Sequence, residues 1–303
     1  MSFKINEICS ILGETQYSVR EICKTNGIAV ERHLSKSGFT SVFRTQKEEK
    51  DFFKQIIDKS NLLSTSDAII FVNQSLHNQI PGSITEILHD CSLKSNVKFF
   101  EMSDACTGFV SSMELANALL LELDIEQVSI ILAEKYSKFI DMSDTKVSTL
   151  FSDSVTCCTI SKSDEIKLIS SKASSNFQLR QSFALNNSRI EMQGLSIFDW
   201  VTKEVPSHVD LLLDEAKVSR NDVGYWFIHQ GSKIVVNTIV EKLKLNPGNY
   251  FKAEGYGNLV AGSIPNMIKD FLPLKKKSFK TRYIVLLSFG VGLTMRSMLW
   301  EMQ

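Results

Sequence analysis

The sequence predicts an α/β protein built from two similar halves. Three observations carry that reading. From residue 67 onward, apolar β-prone runs alternate with stretches of helical spacing. The runs 67–75 (DAIIFVNQS), 97–106 (VKFFEMSDAC) and 128–137 (VSIILAEKYS) are echoed by 222–232 (DVGYWFIHQGS), 249–262 (NYFKAEGYGNLVAG) and 283–292 (YIVLLSFGVG). The offset is about 150 residues for each pair, as a duplication requires. The halves are expected over residues 1–165 and 166–303.

Taken in order, residues 1–60 read as mostly helical and polar, with breaks at Gly27 and Gly38. Strands follow within 67–75, 97–106, 128–137 and 153–161, and helical patterns separate the first three, as in a parallel sheet. Lys162 to Asn187 is Ser-rich and reads as a connection plus a surface strand. The second series has a helix over Val201–Ala216, a strand into His229, a helix over 234–243 and a short strand around Asn249–Glu254. A helix over Met267–Leu272 and strands over 283–290 and 293–302 complete it.

Composition bounds the function. Lys and Arg balance Asp and Glu at 34 each, so no global field favours nucleic acid or an anionic membrane. The six cysteines (Cys9, Cys23, Cys91, Cys106, Cys157, Cys158) form no CxxC pair and have no nearby His pair, which argues against a zinc site or a disulfide framework. The start of the chain lacks signal-peptide features, and no apolar run approaches the roughly 20 residues that cross a bilayer. A cytoplasmic protein without a metal or other cofactor is expected.

Chemistry concentrates at the ends of strands. Cys106 sits at a strand-to-helix turn, where unpaired N–H groups and the helix dipole favour a thiolate and a lowered pKa. A buried structural cysteine fits that stretch equally well. His229 and Asn258 end the corresponding segments of the second half, and Asn258 stands roughly where Cys106 does in the first. In α/β sheets ligands bind outside the carboxyl ends of strands, and Cys106, His229, Asn258 and the Gly290-Val291-Gly292 loop all fall there. His33, His77 and His89 read as surface or partly buried, His208 as a helix-start residue beside Pro206, and Cys157 and Cys158 as core.

The segments DACTGF (104–109), FIHQGS (227–232), GYGNLVAGSIP (255–265) and SFGVGLT (288–294) resemble signatures of the ketoacyl-acyl carrier protein synthase III family, in the thiolase superfamily. LFSDSV (150–155) and RIEMQGLSIFDWV, with Met192, Gly194 and Phe198, fall where that family has further motifs. The resemblance implies a five-layered αβαβα thiolase-like fold. It implies that Cys106 takes an acyl group from a thioester, with an oxyanion hole made by the backbone N–H groups of Cys106 and Val291. His229 and Asn258 then stabilise the enolate of a malonyl-type donor as carbon dioxide leaves. Substrates would arrive on coenzyme A or acyl carrier protein. A homodimer is implied, in which Ile80 lines the partner's acyl pocket and leaves room for a medium-chain, branched or bulky group.

Some positions depart from the family pattern. The indole and arginine clamp for the coenzyme A adenine is unmatched near REICKTNGIAVERH (20–33). The residues after the FIHQGS motif are Lys233-Ile234, and the Gly-Asp-Gly-Ala loop reads Ser152-Asp153-Ser154-Val155. These departures favour delivery by a carrier protein, which the basic run Lys275 to Lys280 with Arg282 could meet; a solvated turn explains that run as well. Three functions follow: decarboxylative condensation in fatty-acid-like or specialised biosynthesis, acyl transfer to an amine or hydroxyl, or a non-catalytic partner subunit of an active homologue.

Overall fold

A computed structural model of the chain describes residues 2–76, 80–89, 91–252, 255–275 and 282–303, the side chains of 272–275 aside. Nine strands make one continuous sheet: β1 (Ser2–Leu12), β2 (Ala68–Val72), β3 (Lys98–Met102), β4 (Gln127–Glu134), β5 (Ser154–Lys162), β6 (Ile166–Ser175), β7 (Val223–Ile228), β8 (Tyr283–Gly290) and β9 (Thr294–Met302). Their spatial order is β7-β8-β9-β6-β1-β5-β4-β2-β3. Central strands are apolar on both faces because both faces are covered. In β4, Val128, Ile130 and Leu132 enter one core while Ile131 and Ala133 enter another.

The pairing repeats. β2 lies parallel to β3 and β4, and β4–β5 and β5–β1 are antiparallel. In the second series β7 lies parallel to β8, and β8–β9 and β9–β6 are antiparallel. The counterpart of β3 is a single parallel bridge between Trp226 and Tyr250, where the sequence suggests a short strand. Within the sheet the two series join where Ser2 and Phe3 pair with Lys167 and Ile166, and a parallel bridge between Phe151 and Asn258 links them again.

Helices fill the remaining layers. Phe52, Phe53 and Ile56 of α3 (Glu49–Lys59) and Ile84 and Ile87 of α4 (Ser83–Leu88) cover the outer face of the first series; α1 (Val19–Thr25) and α2 (Val30–Ser37) precede them. α5 (Gly108–Glu122) and α8 (Ser263–Lys275) lie between the two series, where Phe109, Met113, Ile264 and Met267 meet strand residues from both. Trp200 and Val205 of α6 (Gly194–Ala216) and Val236 and Ile239 of α7 (Lys233–Lys242) cover the other outer face. The result is five layers, α-β-α-β-α.

The N-terminus departs from the helical expectation. Residues 2–12 form β1, and a bulge between Ile5 and Glu7 shifts the register and breaks the alternation that marks a strand. His208 is not a helix-start residue: α6 begins at Gly194 and continues through Pro206. A proline inside a helix leaves the carbonyl four residues earlier without its donor. Here that carbonyl, of Thr202, accepts from Lys242 Nζ at 2.8 Å. His77 and Lys276, Lys277 and Lys280 lie outside the described residues.

His208 is 3 % exposed and bridges two strands, its Nδ1 2.8 Å from Ser174 Oγ and its Nε2 2.8 Å from Ser297 Oγ. Burial, then Lys172, lowers its pKa to about 4. The folded pKa lies below the unfolded value, so the unfolded chain binds the proton more readily. Stability is full above the unfolded pKa and falls with pH toward the folded one. Glu134, which burial raises to about 8, acts in the opposite sense over part of this range. The difference between two chains therefore isolates the histidine. Urea unfolding of wild type and His208→Gln at pH 7 and pH 5 should show the wild type losing about 2 kcal/mol relative to the variant at the lower pH.

Candidate active site

The turn after β3 presents the thiol. Asp104 leads into a single turn of 3-10 helix, Ala105–Thr107, and α5 starts at once. Ala105 is held at φ 41°, a left-handed conformation that costs a non-glycine residue about 1–3 kcal/mol. Asp104 pins the turn: its carbonyl accepts from Thr107 N at 3.1 Å and Thr107 Oγ1 at 2.8 Å, and its carboxylate accepts from Ser111 Oγ. Close packing locks it further. A Cβ at Gly108 would lie 2.4 Å from Val72 Cγ1, and one at Gly290 would lie 2.8 Å from the Cβ of Cys106. Gly290 ends β8, so the Cys106 turn of the first series rests directly on a strand end of the second.

His229 follows β7, whose last residue pairs with Leu287 of β8, and its own N–H donates to the Leu287 carbonyl at 2.8 Å. Its ring stands edge-on to Phe289, centroids 5.4 Å apart. Phe289 is the neighbour of Gly290, so His229 and Cys106 flank the same strand end. The ring is 2 % exposed, and its Nδ1 has no hydrogen-bond partner among the described residues.

Asn258 is buried and anchored at three points. Its N–H donates to the Leu150 carbonyl and its own carbonyl accepts from Ser152 N. Its Oδ1 accepts from Val260 N at 2.8 Å and Ser263 Oγ at 3.4 Å. The amide is thereby oriented, and Nδ2 donates to nothing among the described residues. Val260 belongs to the same apolar cluster as Cys106 and Tyr136. Val260, at φ 54°, opens a 3-10 turn leading into α8, as Ala105 does before α5. Matching the two turns places Ala261 opposite Cys106, and Asn258 opposite Ser103, three residues away from the position the sequence echo suggests.

Burial sets the charge state. It raises the Cys106 thiol to about 12, helped by Glu134, and lowers His229 to about 3. The lowered thiol pKa expected from the helix start is overridden, because the thiol is only 8 % exposed and desolvation disfavours a thiolate. The site at rest holds a neutral thiol and a neutral imidazole. The N–H groups of Cys106 and Val291 donate to no backbone carbonyl among the described residues. Val291 also lines a cavity of about 250 Å³, together with Phe139, Phe183 and Ile190 and the polar Gln74, Ser103 and Tyr136; Tyr136 shares an apolar cluster with Cys106.

Glu134, Gln74 and Tyr136 escape the sequence reading. Glu134 is 1 % exposed at the end of β4, and a carboxylate closing an apolar strand was the available signal. Ile80 is 95 % exposed on this chain and lies away from its own Cys106 cluster. Among the described residues no group of three or more His, Cys, Asp or Glu could hold a metal ion, and no helix is long and apolar enough to cross a membrane.

Residues 100–176 match the family described as 3-oxoacyl-[acyl-carrier-protein (ACP)] synthase III, and residues 213–302 match its C-terminal part. A beta-ketoacyl-acyl-carrier-protein synthase III of Lactococcus lactis is 28 % identical over 261 residues, covering 80 % of this chain and 79 % of the relative. The protein of that name from Streptococcus agalactiae is 26 % identical over 310 residues, covering 97 % and 93 %. Among solved structures, the 3-oxoacyl-acyl-carrier-protein synthase III of Aquifex aeolicus superposes with a TM-score of 0.88 at 22 % identity, covering 99 % of each chain. The five layers are thus those of a thiolase-like fold, and the chain belongs to the 3-oxoacyl-acyl-carrier-protein synthase III family.

Proposed function

We propose that this chain is a condensing acyltransferase in which Cys106 carries the acyl group. In the first half-reaction Cys106 Sγ attacks the thioester carbonyl, and the oxyanion is met by the N–H groups of Cys106 and Val291. The carrier thiol leaves with the proton that Cys106 gives up, so no net charge is created. Neutral His229 is the adjacent group able to pass that proton. In the second half-reaction a malonyl thioester loses carbon dioxide, and the electron pair of the broken C–C bond moves onto the thioester oxygen. The resulting enolate carbon attacks the acyl-cysteine, and Cys106 leaves as a thiolate that takes up a proton.

The observation that carries this reading is the orientation of Asn258. With Oδ1 occupied by Val260 and Ser263, the amide offers its N–H₂ end, and neutral His229 offers a second donor without a charge to titrate. Two fixed neutral donors suit an enolate oxygen. Transfer to an amine or hydroxyl makes no enolate and has no use for the pair.

Acyl carrier protein or coenzyme A would deliver the thioesters, and the relatives' names support the carrier. We place a second copy of the chain against this one, with its Ile80 entering the cavity beside Cys106; an isoleucine 95 % exposed on one chain supports such cover.

Intact-protein mass after exposure to acyl-coenzyme A and acyl-carrier-protein donors should rise by the acyl increment, and Cys106→Ala should show no gain. A gain that persists in the variant would overturn the assignment of the nucleophile. Asn258→Asp keeps the Oδ1 acceptor but loses the donor. Condensation with malonyl-carrier protein should then fall by about 10²–10³, while acylation of Cys106 falls far less. Equal losses in both steps would remove the enolate role.

A further inference from the structure

The cavity that Val291 and Tyr136 line, both in the apolar cluster of Cys106, is not uniformly apolar. Tyr136 O–H donates to Gln74 Oε1 at 2.9 Å, and Gln74 Nε2 donates to the Ser103 carbonyl at 3.2 Å. All three residues line the cavity that Val291, the second oxyanion donor, also borders. Ser103 lies three residues before the nucleophile.

The pair is held rigidly. Both oxygens of Glu134 accept from Gln74 N–H, at 3.1 and 3.2 Å. Ser75 Oγ accepts from Lys135 N at 2.9 Å, tying the same turn to the end of β4. The Tyr136 ring is 3 % exposed and packs on Phe151, with centroids 5.3 Å apart, and on Phe139 and Phe183 at 6.5 Å. Tyr136 cannot swing away to solvent without breaking that packing, and the partly exposed Gln74 side chain is held by its bonds to Tyr136 and the Ser103 carbonyl.

Counting the bonds leaves one N–H on Gln74 Nε2 and the lone pairs of Tyr136 Oη unused. A donor and an acceptor side by side complement a group that is itself both. A hydroxyl is such a group. A methylene is neither, and an unsubstituted chain would cover both atoms without pairing them, at the cost of their desolvation. The space suits a modest chain: a cavity of about 150 Å³ holds benzene, so one of this size takes roughly ten non-hydrogen atoms.

We propose that the acyl group received by Cys106 carries a hydroxyl, bound between Tyr136 Oη and Gln74 Nε2. The inference rests on the acyl-cysteine reading above and specifies its substrate class. The hydroxyl takes no part in bond making; it selects the donor.

The test is the rate of Cys106 acylation, followed by intact mass, with hydroxyacyl and unsubstituted thioesters of matched chain length. The hydroxyl is moved along the chain, and each pair is offered on coenzyme A and on carrier protein. At least one hydroxyacyl donor should load roughly 2- to 10-fold faster than its match, the worth of one or two neutral hydrogen bonds. Tyr136→Phe, which keeps the ring, and Gln74→Met, which keeps the length, should each bring that ratio toward one. Equal loading of every matched pair, or a preference that survives both variants, overturns the polar subsite and leaves the acyl-cysteine standing. Failure of every donor to load overturns the acyl-cysteine and the subsite together.

Discussion

The contact between Cys106 and Gly290 is the constraint on which the rest of the site depends. Cys106 is the middle residue of the 3-10 turn of the first series and Gly290 ends a strand of the second, and a Cβ at 290 would lie only 2.8 Å from the cysteine Cβ. That approach fixes where Val291 begins the next turn. It also fixes where Phe289 stands, and with it the edge-on ring of His229. Any side chain at 290 would collide with Cys106 and displace the thiol. The left-handed Ala105 is the backbone cost of this closeness, and the bonds from Thr107 and Ser111 to Asp104 offset it.

Burial decides the electrostatics more than any single charge. The thiol is pushed up to about 12 and the imidazole down to about 3, because neither ionised form is hydrated there. Glu134 is raised to about 8 for the same reason, and its charge adds to the rise of the Cys106 thiol. A site that rests neutral binds a neutral thioester without displacing counter-charges. A permanently ionised cysteine would need a partner cation that the described residues around it do not supply.

Much of this was legible in the sequence. The strand-end residues Cys106, His229 and Asn258 stood out because apolar runs led straight into them, and the echo between the series pointed to a duplication. β1 was hidden by a bulge that puts Glu7 out of phase with Phe3 and Ile5. The helix read over Val201–Ala216 starts earlier, at Gly194, and it runs through Pro206 because the fold brings Lys242 to the carbonyl that the proline leaves bare. The thiol pKa was misjudged because a helix start is visible in sequence whereas desolvation depends on what packs around it. Gln74 and Tyr136 lie far apart in the chain, and their hydrogen bond exists only because β2 and β4 are neighbours.

Duplication with unequal turns explains why two series are needed at all. Each sends a left-handed residue, Ala105 or Val260, into a 3-10 turn and then into a central helix. In the first, the residue after the left-handed one is the thiol; in the second that place is taken by Ala261, which packs in the core. The second turn instead turns inward on itself: Val260 N–H and Ser263 Oγ bind Asn258 Oδ1. Its output is an oriented amide rather than a thiol. One backbone device thus presents a thiol in one series and an amide in the other, and the central layer holds both because α5 and α8 share one apolar core. Loosening either helix would move both halves of the chemistry together, which ties the stability of the fold to the precision of the site.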